Sequence, residues 1–454
     1  MKNLEIEKIH ELFLTTTSAC TDTRAISEGC MFFALKGENF NGNTFVKDAL
    51  NAGAAYAVTE DAANEQECEE KCILVDDVLD TLQQLARYHR LKHKLPVIAL
   101  TGTNGKTTTK ELIAATLRTQ YNIVATQGNL NNHIGVPLTL LRITDKTQVA
   151  VIEMGASAPG EIDVLMKIAC PSFGLITNVG KAHLQGFGSF EGVKKAKGEL
   201  YDNLMDHRKI AFVNVDNPIL MDMVKEHLRL QIVPYGVKND NAKVSVTEGD
   251  TPYLKVTVPN PSAVAVAENN EPEFIEISSH LIGIYNVDNI LAALCVSSYL
   301  AVPTMQAVKA IEDYTPSNNR SQLEKTRRNT LIIDAYNANP TSMRAAVENF
   351  REIKFKHKIL ILGDMLELGE DSLQEHKEII SLANSYNPDK IYLVGGEFRK
   401  AYLELESGLS GRKIELFEDS LKLAEELKNK DIEGCIVLIK GSRGIRLERV
   451  VEVL

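Results

Sequence analysis

The stretch VIALTGTNGKTTT, residues 97–109, decides the fold of this chain. Its first four residues are apolar and predict a buried strand, and residues 111–117 predict a helix. A strand, a glycine-containing turn and a helix N-terminus together form a phosphate cradle, because backbone N–H groups and the positive end of the helix dipole face one anion. Lys106 would reach the terminal phosphates, and the Thr107 hydroxyl would ligate Mg²⁺.

The loop departs from the usual phosphate-binding pattern at one position. Leu100 stands where that pattern has glycine, and Gly102 lies only three residues before Gly105, so the loop is shortened. An ordinary glycine-containing turn between a strand and a helix is therefore the alternative interpretation.

Composition and charge limit the classes of protein. A length of 454 residues suggests about three domains, and 44% apolar residues are enough for packed cores. The net charge of −11 argues against non-specific binding to nucleic acids and to anionic membrane surfaces.

Targeting signals and cysteines favour a cytoplasmic protein. Residues 1–7 lack the apolar core of a signal peptide, and no apolar run approaches the ~18 residues of a membrane span. The seven cysteines are scattered, and Cys68 and Cys72 form the one close pair, so we expect reduced thiols rather than a zinc site.

The pattern along the chain predicts three units. Residues 1–92 form a small α/β unit, and the basic segment 89–96 is a plausible linker. Residues 93–312 alternate apolar strands with helical patterns, except for an antiparallel insertion at about 240–280. Residues 313–454 repeat the alternation.

Most of the predicted strands end in polar or glycine residues. Strands are expected at 97–100, 149–152, 173–176 and 209–213, and later at 330–333, 359–362, 391–394 and 435–439. In an open α/β sheet, ligands bind beyond the carboxyl ends of the strands, so the third unit should turn one edge towards a ligand.

Glu153 and His183 each follow a predicted strand closely. A carboxylate at a strand end beside a P-loop stands where a Mg²⁺ ligand is needed, and a histidine at the same edge could serve metal or phosphate. The asparagines at 129, 131 and 132 could simply form turns, or could offer their amides to a ligand. A GTPase is disfavoured because no Asn-Lys-x-Asp string is present, whereas a kinase needs the same loop, metal and carboxylate and stays open.

Taken together, these motifs resemble the ATP-dependent Mur ligases of bacterial cell-wall synthesis. The resemblance covers essentially the whole chain, and Leu100 is expected in that family. The motifs that carry it, in family order, are residues 21–24, 29–37, 40–42, 102–107, 128–137, 153–155, 177–183, 185–189, 334–340, 363–369 and 440–444. The Asp-Asn-Pro-Arg string of members that add the third amino acid is absent, and residues 128–132 and 334–340 resemble the dipeptide-adding members instead.

The resemblance implies an α/β fold of three domains: a small N-terminal domain (1–92), a central P-loop domain with a mostly parallel sheet (93–312) and a Rossmann-like C-terminal domain (313–454). It also implies roles for individual residues. Nucleotide contacts would come from Gly102, Thr103, Asn104, Gly105, Lys106, Thr107, Thr108, Asn286, Asn289, Arg320 and Asp334. Two Mg²⁺ ions would be held by Thr107, Glu153, His183 and a carbamylated Lys197, and Lys106, Glu153, His183 and Lys197 would be catalytic. The UDP-substrate would contact Thr23, Arg24, Asn131 and Asn132, and the dipeptide would contact Tyr336, Asn337 and Asn339.

Two of these implied roles need a remark. From the residues alone, Lys197 is an ordinary surface lysine of a helix, so its role rests on the resemblance. Tyr285 replaces a histidine that is frequent in the family, which leaves the contacts of residue 285 open.

The implied activity is an ATP-dependent, ADP-forming amide ligase of cytoplasmic peptidoglycan synthesis. It would join D-alanyl-D-alanine to UDP-N-acetylmuramoyl-tripeptide through an acyl phosphate, as a monomer without nucleic-acid or membrane partners. Two alternatives remain: a Mur-type or folylpolyglutamate-synthase-like ligase that adds a single amino acid, and a regulatory ATPase that keeps the fold without ligation.

Overall fold

The computed structural model describes residues 1, 4–68, 70–247, 251–260, 273–317, 319–405 and 413–454. The described residues form three sheets made largely of parallel strands, one antiparallel sheet and a small hairpin. The predicted α/β class with a parallel central sheet is confirmed, whereas the domain limits after residues 92 and 312 stay a prediction. In the described part of the chain, no helix is long and apolar enough to cross a membrane.

The N-terminal sheet has four parallel strands in the order β1-β2-β5-β6. These strands are β1 (Ala19–Cys20), β2 (Met31–Phe33), β5 (Tyr56–Thr59) and β6 (Cys72–Leu74), and the hairpin is β3 (Lys36–Gly37) with β4 (Phe40–Asn41). The accompanying helices are α1 (Ile6–Phe13), α2 (Val46–Asn51), α3 (Ala62–Glu67) and α4 (Val78–Lys92).

The predicted linker at 89–96 is wrong in its first half. Residues 89–92 form the last turn of α4, and only residues 93–96 connect that helix to the next strand. Arg90 is buried because its guanidinium donates to the carbonyl oxygens of Ala169 (3.1 Å) and Cys170 (3.2 Å), at the C-terminus of another helix. Basic residues in the last turn of a helix also interact favourably with the helix dipole. A run of basic residues is therefore as typical of a helix C-terminus as of a linker.

The central sheet has six parallel strands in the order β12-β11-β10-β7-β9-β8. They are β7 (Val97–Thr101), β8 (Ile123–Ala125), β9 (Val149–Glu153), β10 (Phe173–Ile176), β11 (Ile210–Asn214) and β12 (Gln231–Tyr235). The helices of this part are α5 (Lys106–Arg118), α6 (Gly135–Leu140), α7 (Glu161–Ala169), α8 (Leu184–Phe187), α9 (Phe190–Asp206), α10 (Pro218–Glu226), α11 (Val287–Tyr299) and α12 (Thr304–Asp313). Strand β7 is completely buried, because β10 and β9 flank it on either side. The next two strands in the sequence, β8 and β9, lie on one side of β7, and the following strands β10 to β12 lie on the other side. This switch in strand order opens a crevice at the carboxyl end of β7.

The predicted antiparallel insertion is confirmed where the structure describes it. It consists of β13 (Lys243–Val246), β14 (Tyr253–Pro259) and β15 (Phe274–Ile282), paired antiparallel in that order. Residues 248–250 and 261–272 of the predicted insertion lie outside the described residues. Alternate side chains of β14 are buried, as expected for a sheet with one face on a core.

The C-terminal sheet has the order β16-β17-β21-β18-β19-β20, in which only β16 runs antiparallel to its neighbour. Its strands are β16 (Gln322–Lys325), β17 (Thr330–Asp334), β18 (Lys358–Gly363), β19 (Lys390–Val394), β20 (Ile414–Phe417) and β21 (Ile436–Lys440). Its helices are α13 (Pro340–Glu352), α14 (Ser372–Ser385), α15 (Gly396–Leu405), α16 (Ser420–Lys428) and α17 (Glu448–Val451).

Candidate active site

A cleft of about 950 Å³ lies between the carboxyl edges of the central and C-terminal sheets. Many residues singled out from the sequence line it. They are Thr103, Asn104, Gly105, Lys106, Thr107, Thr108, Asn129, Asn131, Asn132, Glu153, His183, Asn286, Asn289, Arg320, Asp334, Tyr336, Asn337 and Asn339. Four predicted site residues do not line this cleft: Gly102, Lys197, Thr23 and Arg24.

The glycines of the phosphate loop are required by its shape. Gly102 has φ +144°, and a Cβ at this position would lie 2.0 Å from Thr177 Oγ1. Gly105 has φ +76° and is the N-cap of α5, so the helix begins at Lys106 with its N–H groups towards the cleft. These are left-handed conformations that residues with a Cβ adopt at a cost.

The loop after β10 holds the phosphate loop in place. The Asn104 N–H donates to Asn178 Oδ1 (2.9 Å), and Asn178 Nδ2 donates back to the Asn104 carbonyl oxygen (3.0 Å). Thr177 Oγ1 donates to the same carbonyl oxygen (2.6 Å). No role for Asn178 was predicted from the sequence, although this residue belongs to the motif at residues 177–183.

Lys106 is folded back onto its own loop. Its ammonium group donates to the carbonyl oxygens of Gly102 (2.7 Å) and Thr103 (3.0 Å). Burial lowers the Lys106 pKa to about 8, against the raising effect of the Glu153 carboxylate. A bound phosphate would supply the negative charge that favours the ammonium form.

Glu153, the last residue of β9, offers a free oxygen in a dry environment. Its Oε1 accepts hydrogen bonds from Asn131 Nδ2 (2.8 Å) and Thr107 Oγ1 (3.2 Å). The residue is 1% exposed, and its Oε2 has no hydrogen-bond partner among the described residues. A buried carboxylate oxygen left unpaired is costly and fits a hard cation such as Mg²⁺. Asn131 thus holds one oxygen of the Glu153 carboxylate and leaves the other oxygen unpaired.

His183 lies at the junction of the two sheets and has φ +50°. Its Nδ1 is hydrogen-bonded to the Glu367 carboxylate, which comes from the loop after β18. Glu367 was not predicted as a site residue, although the motif at 363–369 contains it. The described residues contain no group of three or more His, Cys, Asp or Glu side chains that could hold a metal, so any ion here would need the Thr107 hydroxyl or other ligands.

Lys197 is buried, and the interpretation as a surface lysine is wrong. It is 3% exposed on the inward face of α9, with its Nζ 5.5 Å from the centre of the Phe187 ring. Burial, helped by the positive charge of Lys106, lowers the Lys197 pKa to about 7. A large fraction of the side chain is therefore the neutral, nucleophilic amine near pH 7.

Asn289 ties α11 to the phosphate-loop helix, and Asn286 at the N-cap of α11 supports Asn289. Asn289 Oδ1 accepts from Thr109 Oγ1 (2.9 Å), and Asn289 Nδ2 donates to Asn286 Oδ1 (2.7 Å). Both asparagines are buried, yet both line the cleft. The neighbouring Tyr285 hydroxyl is hydrogen-bonded to Ser321 Oγ at 3.0 Å, so the Tyr285 side chain contacts the C-terminal part of the chain.

The C-terminal sheet contributes an ordered polar wall. Asp334 is bound by Lys440 Nζ and by the Ser321 N–H (3.2 Å), and the Arg320 guanidinium lies 3.7 Å from the centre of the Tyr336 ring. Lys440 was missed as a site residue, although the sequence places it at the end of a strand.

The P-loop contacts this wall directly. Asn339 Nδ2 donates to Asn104 Oδ1 at 2.7 Å, which links the predicted nucleotide and dipeptide residues.

Thr23 and Arg24 lie on a short 3₁₀ turn, Thr23–Ala25, beside the N-terminal sheet. Arg24 is exposed and pairs with Asp22 at 2.7 Å, and this pairing lowers the Asp22 pKa to about 2. An exposed arginine held by one neighbour remains available to an anionic ligand.

Three protein-family models match successive parts of the chain. Residues 100–297 match the Mur ligase middle domain, residues 319–443 match the Mur ligase glutamate ligase domain, and residues 16–90 match the Mur ligase family catalytic domain.

Individual relatives match over nearly the full length. The UDP-N-acetylmuramoyl-tripeptide–D-alanyl-D-alanine ligase of Bacillus subtilis is 35% identical, over 95% of this chain and 92% of the relative. The crystal structure of MurF from Acinetobacter baumannii matches with a TM-score of 0.84 and 29% identity, covering 98% of this chain and 97% of that one. MurF from Thermotoga maritima, solved in complex with ADP, matches with a TM-score of 0.81 and 27% identity over 97% of both chains. Motifs, fold and full-length relatives agree, and the chain belongs to the Mur ligase family.

Proposed function

We propose that this chain is an ATP-dependent, ADP-forming ligase that joins D-alanyl-D-alanine to UDP-N-acetylmuramoyl-tripeptide in peptidoglycan synthesis. One observation carries the proposal: the phosphate loop, the unpaired Glu153 oxygen and the Arg320–Asp334 wall face one cleft between two sheets. The substrates come from the name of the Bacillus subtilis relative, which is similar over 95% of the chain.

The reaction needs an activated carboxyl group, because a carboxylate is a poor acyl electrophile. The substrate carboxylate attacks the γ-phosphorus of ATP, giving an acyl phosphate and ADP. The dipeptide amine then attacks the acyl carbon, phosphate leaves, and the nitrogen loses a proton. Lys106 and the N-terminus of α5 stabilise the negative charge on the transferred group and keep the anionic reactants together.

The buried acidic corner fits a divalent cation. Thr107 and Glu153 would hold Mg²⁺ together with His183, and the ion would neutralise phosphate charge. We propose a second ion that uses Lys197 after carbamylation: the ammonium group first loses one proton, and the neutral amine then attacks CO₂ and loses a second proton, which leaves a carbamate anion. The Lys197 pKa of about 7 supports this step, because the amine is available without strong base.

The substrates divide the chain into three parts in this proposal. Residues 1–92 would bind the UDP-substrate through Thr23 and Arg24, and residues 93–312 would bind ATP. Residues 313–454 would close over ATP and bind the dipeptide. Further contacts are proposed for Asn131 and Asn132 with the UDP-substrate, for Asn286, Asn289, Arg320 and Asp334 with the nucleotide, and for Tyr336, Asn337 and Asn339 with the dipeptide. We propose a monomer in the cytoplasm.

A ligase that adds a single amino acid is the second candidate. It would use the same cleft, but the Bacillus subtilis relative is a UDP-N-acetylmuramoyl-tripeptide–D-alanyl-D-alanine ligase, which adds a dipeptide. A regulatory ATPase is disfavoured because Lys106, Glu153, His183 and Lys197 are all present.

ADP release decides between these candidates. With UDP-tripeptide, D-alanyl-D-alanine should give steady ADP release, whereas D-alanine, lysine, diaminopimelate and glutamate should give at most a few per cent of that rate. The Lys106→Ala variant should release no ADP above background with any acceptor. Equal rates with a single amino acid would contradict the proposal, as would turnover in Lys106→Ala.

A further inference from the structure

An unusual contact joins the central and C-terminal sheets at the edge of the cleft. The carboxylate of Glu367 binds His183 Nδ1, and the Glu367 carbonyl oxygen accepts a long hydrogen bond of 3.5 Å from the Gln185 N–H. His183 lines the cleft, whereas Glu367 is not part of the lining and its side chain is 63% exposed. The two side chains are 184 residues apart in the sequence.

Both partners have strained backbones. His183 has φ +50° and Glu367 has φ +64°, and both belong to the few residues other than glycine with positive φ in the described chain. Neither residue type favours this conformation as glycine does, so the surrounding structure must hold it. Glu367 is also followed closely by a glycine, Gly369, whose φ is +60° and whose Cβ position would lie 3.8 Å from Gln185. The loop therefore has left-handed backbone at two positions around its contact with His183 and Gln185.

The contact determines the chemical form of the histidine ring. A carboxylate oxygen can only accept, so Nδ1 must carry the proton that is shared with Glu367. In the neutral ring, Nε2 is then the nitrogen with a free lone pair, which is the form that binds a metal. Carboxylates that hold the far nitrogen of a ligating histidine orient the ring and raise its basicity.

We infer that Glu367 is a positioning residue for the metal site, and that it presents His183 Nε2 to the cation only when the C-terminal sheet is docked against the central sheet. This inference rests on the proposed function, because it requires His183 to be a metal ligand. It makes the cation site a joint product of both sheets, so docking and metal binding strengthen each other.

The test measures Mn²⁺ binding to the whole chain with a non-hydrolysable ATP analogue, by electron paramagnetic resonance. The spectrum also reports the imidazole nitrogen coupled to bound Mn²⁺. Glu367→Gly should weaken Mn²⁺ binding by about 10- to 100-fold and abolish the nitrogen coupling. Glu367→Gln keeps an acceptor oxygen, so it should retain the coupling with a smaller loss of affinity.

Matched controls separate positioning from folding. Glu370→Gly removes an exposed carboxylate from the same loop and should leave Mn²⁺ affinity within about twofold. Glycine also relieves the positive φ at position 367, so we expect Glu367→Gly to keep the Tm of the original chain. A measured Tm that is unchanged excludes unfolding as the cause of lost Mn²⁺ binding.

Two results would overturn the inference in distinguishable ways. Unchanged affinity and coupling in Glu367→Gly, with both lost in His183→Ala, would overturn only the role of Glu367. Unchanged coupling in His183→Ala would overturn the proposed metal ligand itself, and the role of Glu367 with it.

Discussion

Three buried ionisable residues lie in or near the cleft: Lys106 and Glu153 line it, and Lys197 is buried on α9 outside the lining. Lys106 and Lys197 have lowered pKa values, because burial disfavours the ammonium form; the positive charge of Lys106 adds to the effect on Lys197, and that of Arg320 adds to the effect on Lys106. Glu153 keeps one oxygen unpaired. Shifted pKa values in a cleft are typical of functional sites, and here a charged ligand would compensate the buried charges.

Lys197→Ala should reduce ADP release by at least about 100-fold, because the side chain that could become a carboxylate is gone. Acetate or another small carboxylate should restore part of the rate by occupying the vacated space. Steady-state rates with and without acetate measure this.

The neighbouring Lys195 provides the control, since it is exposed on the same helix. Lys195→Ala should keep the normal rate and gain nothing from acetate. Full activity of Lys197→Ala without acetate would exclude a carbamate as a required ligand.

At the scale of elements, the turn between β7 and α5 depends on contacts with the loop after β10. Thr177 and Asn178 hold the backbone of Asn104, and Gly102 leaves room for Thr177. The nucleotide site is therefore shaped by two neighbouring strand ends, and the glycine-rich motif by itself is insufficient.

Gly102→Ala should abolish nucleotide binding, because the new Cβ would lie 2.0 Å from Thr177 Oγ1 and must push the two loops apart. We expect a loss of about 2–4 kcal/mol in the free energy of unfolding, from overpacking and from the unfavourable φ. Calorimetric titration with ADP and denaturant unfolding measure the two effects.

Gly434→Ala is the matched control. Gly434 also has positive φ (+66°), but no atom lies within 4 Å of its Cβ position. This variant should cost only about 1 kcal/mol and leave ADP affinity unchanged. Normal ADP binding by Gly102→Ala would show that the close approach to Thr177 is not needed.

At the scale of the whole molecule, side-chain contacts join parts that are distant in sequence. Between the central and C-terminal sheets, Lys181 pairs with Glu375 at 2.6 Å, in addition to the contact of Asn104 with Asn339. Between the N-terminal helices and the central part, His89 Nε2 donates to the Ile143 carbonyl oxygen at 2.8 Å.

The His89 contact predicts a loss of stability in acid. Burial lowers the His89 pKa from 6.5 to about 4 in the folded chain, opposed by its bond to Ile143; the other titratable groups that face it are His93, Asp145 and His10, whose Nε2 lies 3.0 Å from His89 Nδ1. The unfolded chain therefore binds more protons between pH 6.5 and 4, so the free energy of unfolding falls as the pH drops through this range. The loss should reach at most about 3 kcal/mol, and urea unfolding between pH 7.5 and 4.5 measures it.

His89→Gln should flatten this pH dependence, because glutamine can still donate to the Ile143 carbonyl oxygen but does not titrate. The exposed His207 is the control, and His207→Gln should keep the original slope. An equally steep slope in His89→Gln would assign the acid sensitivity to other groups.

Much of the fold followed from local patterns. The strands at 97–101 and 149–153 are apolar runs bounded by turns, and buried parallel strands have that pattern wherever they occur. The linker at 89–96 failed because a basic helix end and a linker have the same composition, and only packing distinguishes them.

The sequence by itself determined the chemistry that is available: a phosphate loop with Lys106 and Thr107, and polar residues placed at strand ends. It did so because hydrophobic periodicity and glycine positions are local properties of the chain. Only the tertiary structure decided that Lys197 is buried, that Asn131 supports Glu153, and that Glu367 lies against His183. The burial of a side chain, its pKa and its pairing with a residue 184 positions away all depend on which parts of the chain pack together in three dimensions. A local sequence pattern does not predict that packing.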